Sequence, residues 1–153
     1  MIMVSACLKG INCKYNGGHN YHPALGAYLA SHPHFVVCPE SMGRLPIPRP
    51  PSEIQGGDGY DVLDGKARVV NNAGFDVTAE YLEGARLCLE LARLNRVKMA
   101  ILKARSPSCG CGQIYDGTFS RCLRAGDGVA AALLKRNGIT VLTELNFNEG
   151  GVG

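Results

Sequence analysis

Three of the seven cysteines, Cys7, Cys38 and Cys109, occur in one recurring setting: a hydrophobic run, the thiol, then residues that break regular structure. Met1–Leu8 carries the first, Phe35–Cys38 the second, and Val97–Leu102 leads to the third. If the three runs are strands of one parallel sheet, their carboxyl ends share a rim, which is where open α/β sheets bind ligands. Thiols gathered on turns, beside glycines that leave backbone N–H groups free, suit an iron–sulfur cluster. Three thiolates on a four-iron cluster would leave one iron open to substrate. The same open-site logic separates catalytic from structural zinc. Neither the C-x2-C pairs of zinc ribbons nor a ferredoxin run is present, so spacing alone leaves iron–sulfur and zinc both open. A thiol oxidoreductase built on Cys109 and Cys111 is a third reading, although C-x-C differs from the usual C-x-x-C.

The segment Ser106-Pro107-Ser108-Cys109-Gly110-Cys111-Gly112 is the organising turn. Pro107 fixes its φ and lacks a donor, while Gly110 and Gly112 open backbone angles closed to other residues. Cys88 lies on the apolar stripe of a long helix and reads as a small buried hydrophobe. Cys122 reads as structural, and Cys13 and Cys111 as alternate ligands or bystanders. The four histidines sit in loops and at helix ends, where capping or exposure accounts for them. Lys103, Arg105 and Arg49 would crowd the same rim as the thiols.

The elements that must position these groups follow from periodicity. Met1–Leu8 is an apolar strand buried on both faces. Pro23 opens a helix that runs to Ser31, and Phe35–Cys38 is a second strand ended by Pro39. Five of the eight prolines fall between Pro39 and Pro51, which predicts an extended, stiff segment without internal hydrogen bonds. Tyr60–Leu63, Asp64-Gly65 and Lys66–Val70 read as a β-hairpin excursion. A long helix, capped by Asp76 or Thr78, ends at Asn95. Val97–Lys103 is the third strand, Ile114–Phe119 a turn or short hairpin, and Val129–Arg136 a helix capped by Asp127 and closed at Asn137-Gly138. Ile139–Leu142 is a fourth strand, and the tail from Asn146 is frayed. The sum is one α/β domain over residues 1–153, three-layered and Rossmann-like, with a mainly parallel sheet.

Composition bounds the rest. With 46% hydrophobic and 19% charged residues the chain reads as a globular protein able to fill a core without disulfide staples. A net charge of +3 without a basic block, and no Trp, argue against a nucleic-acid partner. The apolar start lacks a preceding basic segment and is too short to span a bilayer, which predicts a cytoplasmic protein without membrane association. Seven cysteines in a reducing compartment point to metal or reactive thiols.

Three segments resemble the 2-thiouracil desulfidase family: Ser5-Ala6-Cys7-Leu8-Lys9-Gly10, then Cys38-Pro39-Glu40 with Leu45-Pro46-Ile47-Pro48-Arg49-Pro50, and Leu102-Lys103 with Ser106-Pro107-Ser108-Cys109-Gly110. The resemblance continues through Ile114–Phe119 and Gly126–Leu134, covers Val4 to Glu144, and departs from the family pattern at Lys9, Asn16 and Arg44. It implies a [4Fe-4S] cluster on Cys7, Cys38 and Cys109 with one iron not held by protein. Glu40 and Ser106 match the family's catalytic positions. The implied reaction is non-redox removal of sulfur from a small thiocarbonyl such as 2-thiouracil. A cluster- or zinc-bearing sensor without turnover is the alternative.

Overall fold

In the computed structural model, which describes residues 1–150, the chain runs through fourteen regular segments and one 3-10 turn. β1 (Ile2–Ser5) passes into the 3-10 turn Ala6–Lys9, followed by α1 (Pro23–Leu29), β2 (His34–Val37) and α2 (Pro39–Met42). Next come β3 (Ser52–Gln55), α3 (Gly59–Leu63), β4 (Arg68–Asn71) and α4 (Thr78–Leu94). The remainder is β5 (Met99–Leu102), β6 (Gln113–Tyr115), β7 (Leu123–Ala125), α5 (Val129–Arg136), β8 (Thr140–Thr143) and α6 (Phe147–Gly150).

Four strands form the expected parallel sheet, in the order β2-β1-β5-β8. Successive side chains in a strand face opposite sides, and the two cores divide accordingly. Met3, Ala100, Leu102 and Val141 pack against Cys88, Leu89 and Ala92 of α4 and Ala131 and Leu134 of α5. Ile2, Val4 and Ile101 pack against Leu25 and Leu29 of α1 and Phe147 of α6. The sheet is thus the middle layer of three. Each fully buried Leu, Ile, Val or Met contributes about 1.5–3 kcal/mol of apolar burial. A third cluster joins Ile54 and Val69 of the small β3–β4 sheet to Tyr81, Ala85 and Val129. Among the described residues no helix is long and apolar enough to cross a membrane.

The hairpin expected around Asp64-Gly65 is placed differently. Tyr60–Leu63 lies in α3 because Asp58 caps that helix: its Oδ1 accepts from Tyr60 N at 3.1 Å, and Asp61 Oδ2 accepts from Asp58 N at 2.9 Å. This reciprocal cap outweighs the β-propensity of a four-residue run. The antiparallel pair is instead β3 with β4, Glu53 facing Val70. The proline-rich segment is not extended throughout, since Pro39 opens α2, as proline at the first helical position can.

Two caps also differ. Neither Asp76 nor Thr78 caps α4, whose N-cap is Val77 without a side-chain bond; Asp76 Oδ1 accepts from Thr78 N at 2.9 Å. Gly128, not Asp127, is the N-cap of α5. The tail from Asn146 is not frayed where it is described, because α6 buries Phe147 on the α1 face of the sheet; residues 151–153 lie outside the described residues.

α2 and α4 cross at two glycines. A Cβ on Gly84 would overlap the Pro39 carbonyl oxygen, and one on Gly43 would overlap the Glu80 carbonyl oxygen. The backbones therefore meet with no side chain between them, and the short helix that follows Cys38 is seated on the longest helix of the fold.

Candidate active site

A cavity of about 520 Å³ opens at the carboxyl ends of β1, β2 and β5. Its lining brings together Cys7, Cys38, Cys109, Glu40 and Ser106, along with Cys13, Arg49 and Lys103. Cys88 is buried elsewhere, against Met42 of α2, with Sγ 3.8 Å from Sδ. Cys122 is exposed and therefore does not support the core as expected. Cys111 turns away from the cavity toward Val141 O, at 3.4 Å.

Cys7, Cys38 and Cys109 are each placed by a different backbone device. Cys7 lies not at the end of β1 but inside the 3-10 turn, whose carbonyl of residue 7 accepts from both Gly10 N and Asn20 N. Cys38 is the N-cap of α2, so its extended backbone turns directly into the helix that carries Glu40. Cys109 sits on the organising turn, where Gly110 N bonds Ser106 O at 2.8 Å. Gly112 there takes φ 90°, as expected. Gly110 is required for closeness instead, since a Cβ would lie 2.7 Å from Ser106 O. The N-terminal amides of α5 complete the brace: Val129 N and Ala130 N donate to Pro107 O and Ser108 O at 2.8 and 2.9 Å. Asp127 adds a side-chain tie, accepting from Gly112 N at 2.8 Å and pairing with Lys135 at 3.0 Å.

Electrostatics divides the thiols. A hydrogen bond from Cys13 is the main influence lowering Cys38 to about 5 and Cys7 to about 7, against the burial that raises both. The Cys13 thiol is pushed far up, because it donates toward both neighbours and would face their charge if ionised. Cys109 is also held well above its ordinary value, by burial first and then by the Glu40 carboxylate.

Glu40 is the buried acid of the site. Burial raises it to about 7, the neighbouring Cys38 adds to the rise, and Arg49 opposes it. Arg49 Nη2 stands 3.8 Å from Glu40 Oε2 but only 3.0 Å from Cys13 O, so its closer bond goes to the backbone. Cys38 Sγ is 3.6 Å from the same Glu40 oxygen. Ser106 Oγ donates toward Glu40 Oε1 at 3.4 Å. Lys103 is held on the wall by Glu144, whose Oε2 is 3.1 Å from its Nζ and whose Oε1 accepts from Ala104 N at 2.7 Å.

The donor set, four thiols lining one cavity, fits an iron–sulfur cluster. A cluster spreads its thiolates over separate irons, so the demand is for soft donors facing one chamber, and that is what the lining supplies.

The sequence did not point to part of the lining. Tyr15, Glu53, Tyr81, Tyr115, Phe119 and Arg121 all border the cavity. Phe119 belongs to the quoted Ile114–Phe119 motif, but its use depends on β6 and β7 pairing and carrying their connection to the cavity. Tyr81 has the spacing of an apolar position of α4, which conceals its place on the cavity wall.

Residues 2–146 match the family model described as 2-thiouracil desulfurase. "Uncharacterized protein YbbK" of Bacillus subtilis (strain 168) is 46% identical over 149 residues, spanning 97% of this chain and 99% of that one. Among solved structures, the [4Fe-4S]-dependent thiouracil desulfidase TudS (DUF523Vcz) superposes with a TM-score of 0.85 at 42% identity. That match covers 97% of this chain and 93% of TudS.

Proposed function

The chain belongs to the 2-thiouracil desulfurase family, enzymes that cleave carbon–sulfur bonds, and from that premise we propose that it removes sulfur from a thiolated pyrimidine such as 2-thiouracil. Water oxygen replaces sulfur at the ring carbon and sulfide leaves, with no net electron transfer. A [4Fe-4S] cluster is held by Cys7, Cys38 and Cys109, with one iron not ligated by protein. The observation that carries this reading is the convergence of those thiols, Glu40 and Ser106 on one cavity, from three separate stretches of chain. The reading takes residues 1–153 as a single cytoplasmic domain acting on a small molecule, with no nucleic-acid or membrane partner.

When bound, the cluster would supply a Lewis-acidic iron for the soft thiocarbonyl sulfur. The protein does the proton work. As a carboxylate, Glu40 takes a proton from the attacking water; its position near neutrality lets it return that proton to the departing sulfur. Ser106 cannot swing freely, because its Oγ accepts from Ser108 N and Cys109 N at 3.1 and 3.0 Å, leaving its one hydrogen for Glu40. Arg49 keeps the acid from rising beyond usefulness.

The test is anaerobic purification or reconstitution with iron and acid-labile sulfide analysis, followed by a sulfide-release assay on 2-thiouracil. A brown, loaded protein that releases sulfide and uracil supports the proposal. A loaded protein without turnover would leave a cluster-bearing sensor, and a colourless protein that binds zinc would exclude the cluster.

A further inference from the structure

The connection between β6 and β7 has a conformation that its sequence does not favour. Phe119 takes φ 56° and Arg121 φ 62°, in the left-handed region. For a bulky residue such as phenylalanine that is a genuine outlier, and it persists only where the surroundings impose it. What imposes it is visible. Glu53 of β3 accepts through one oxygen, Oε1, from both Gly117 N at 2.9 Å and Phe119 N at 3.1 Å. Gln55 Nε2 donates to Gly117 O at 3.1 Å. Gly117 itself takes φ 92° and lies so near β3 that a Cβ would be 2.6 Å from Ile54 O.

Two elements distant in sequence therefore spend hydrogen bonds and a glycine to hold one aromatic side chain at the cavity. Phe119 is half-buried and borders it together with Tyr15, Tyr115 and Glu53. A phenyl ring has no polar atom to offer the chemistry. Its recognisable use is to present a flat π-face, on which a planar heterocycle stacks.

We propose that Phe119 is a specificity-determining residue, stacking on the ring of a planar heteroaromatic thiocarbonyl, and that Glu53 is the positioning residue that holds it there. This rests on the function proposed above and narrows it: the site selects planar rings over acyclic thiocarbonyls such as thiourea, which share the sulfur but lack the face.

The experiment uses the cluster-loaded protein under anaerobic conditions, with iron content and melting temperature checked for every variant. Uracil affinity is measured by calorimetry, kcat and KM with 2-thiouracil, and thiourea as an inhibitor. Phe119→Leu, which keeps bulk without a π-face, and Phe119→Ala should weaken uracil binding and raise KM on the order of 10–100-fold. Neither should change kcat or thiourea inhibition in proportion, and Phe119→Tyr should restore binding. Glu53→Leu should raise KM in the same direction, and Glu53→Gln, which keeps the acceptor oxygen, should rescue it. Unchanged uracil binding by Phe119→Leu overturns the inference, as does equal weakening of uracil and thiourea or a loaded wild type that does not bind uracil. A wild type that binds uracil in a Phe119-dependent way but releases no sulfide refutes the proposed reaction and leaves this inference standing. A wild type that turns over with a KM indifferent to Phe119 does the reverse.

Discussion

Ser106 Oγ sits 3.4 Å from Glu40 Oε1, joining the turn after β5 to the helix after β2 across the cavity floor. The contact is long for a hydroxyl–carboxylate bond, as expected of a pair whose shared partner is a substrate or water. Replacing Glu40 by Gln keeps its shape but removes its proton. Glu40→Gln should load iron normally and lose turnover on the order of 10²–10⁴-fold. Iron analysis beside a sulfide-release assay decides: near-normal desulfuration would make Glu40 a structural anchor for Arg49, and loss of iron would make it a ligand or folding group.

Arg49 sets where on the pH axis that acid works. Burial raises Glu40 and Arg49 lowers it, so removing the guanidinium lets the pKa rise further. A base acts as its carboxylate, and its contribution grows as pH climbs through the pKa. The rising limb of kcat/KM against pH should therefore lie near about 7 in the wild type and move to the alkaline side in Arg49→Met. A shift to the acid side, or none, would count against Glu40 as the titrating base.

The ligand assignment is tested thiol by thiol. Cys7→Ser, Cys38→Ser and Cys109→Ser should each abolish the visible cluster band, whereas Cys88→Ser and Cys122→Ser should retain it. Cys13→Ser is the informative addition, since this thiol lines the same cavity and is the main influence lowering both Cys7 and Cys38. A bystander changes iron content little. If Cys13 proves indispensable and one of the trio does not, the trio is wrong.

Asp127 holds the organising turn from behind, through Gly112 N and Lys135. Asp127→Ala should destabilise the cluster-free protein by about 1–3 kcal/mol, the range for losing a charged hydrogen-bond partner at a part-buried site. Asp127→Asn, which still offers an oxygen to Gly112, should cost less. Urea unfolding without iron reads both.

Gly84→Ala adds one methyl where α4 meets the Pro39 carbonyl oxygen. Overpacking of this kind costs about 1–3 kcal/mol, and here it displaces the short helix that follows Cys38 and bears Glu40. The variant should lose iron retention along with stability, while alanine at the exposed Gly74, where space is open and only the φ of 88° is strained, should cost stability without loss of iron.

The sheet was legible because its strands are buried on both faces and leave continuous apolar runs, Met1–Leu8 and Val97–Leu102 being the plainest. The cavity's two catalytic candidates were legible only through the Cys-Pro-Glu and Ser-Pro-Ser-Cys segments, since nothing in their spacing says that residues 40 and 106 meet. What the sequence concealed was settled by single side chains acting at a distance. Asp58 turns Tyr60–Leu63 from strand to helix. Glu53 draws Phe119 to the cavity across 66 residues of chain. Asp127, placed like an N-cap, gives its oxygens to Gly112 and Lys135 instead. Such outcomes depend on which elements become neighbours, information that local periodicity does not contain.

The strand order β2-β1-β5-β8 has a consequence for the protein's birth. β1 is made first, yet one of its two flanking strands is β5, nearly a hundred residues later. Until β5 has left the ribosome and paired, Cys7 and Cys38 have no Cys109 beside them, and closing so long a loop is entropically slow. A nascent chain therefore carries exposed soft donors for most of its synthesis without a chamber to put iron in. If the proposed trio holds the cluster, metal delivery follows the pairing of β5, and a fragment ending before residue 109 would not build the site.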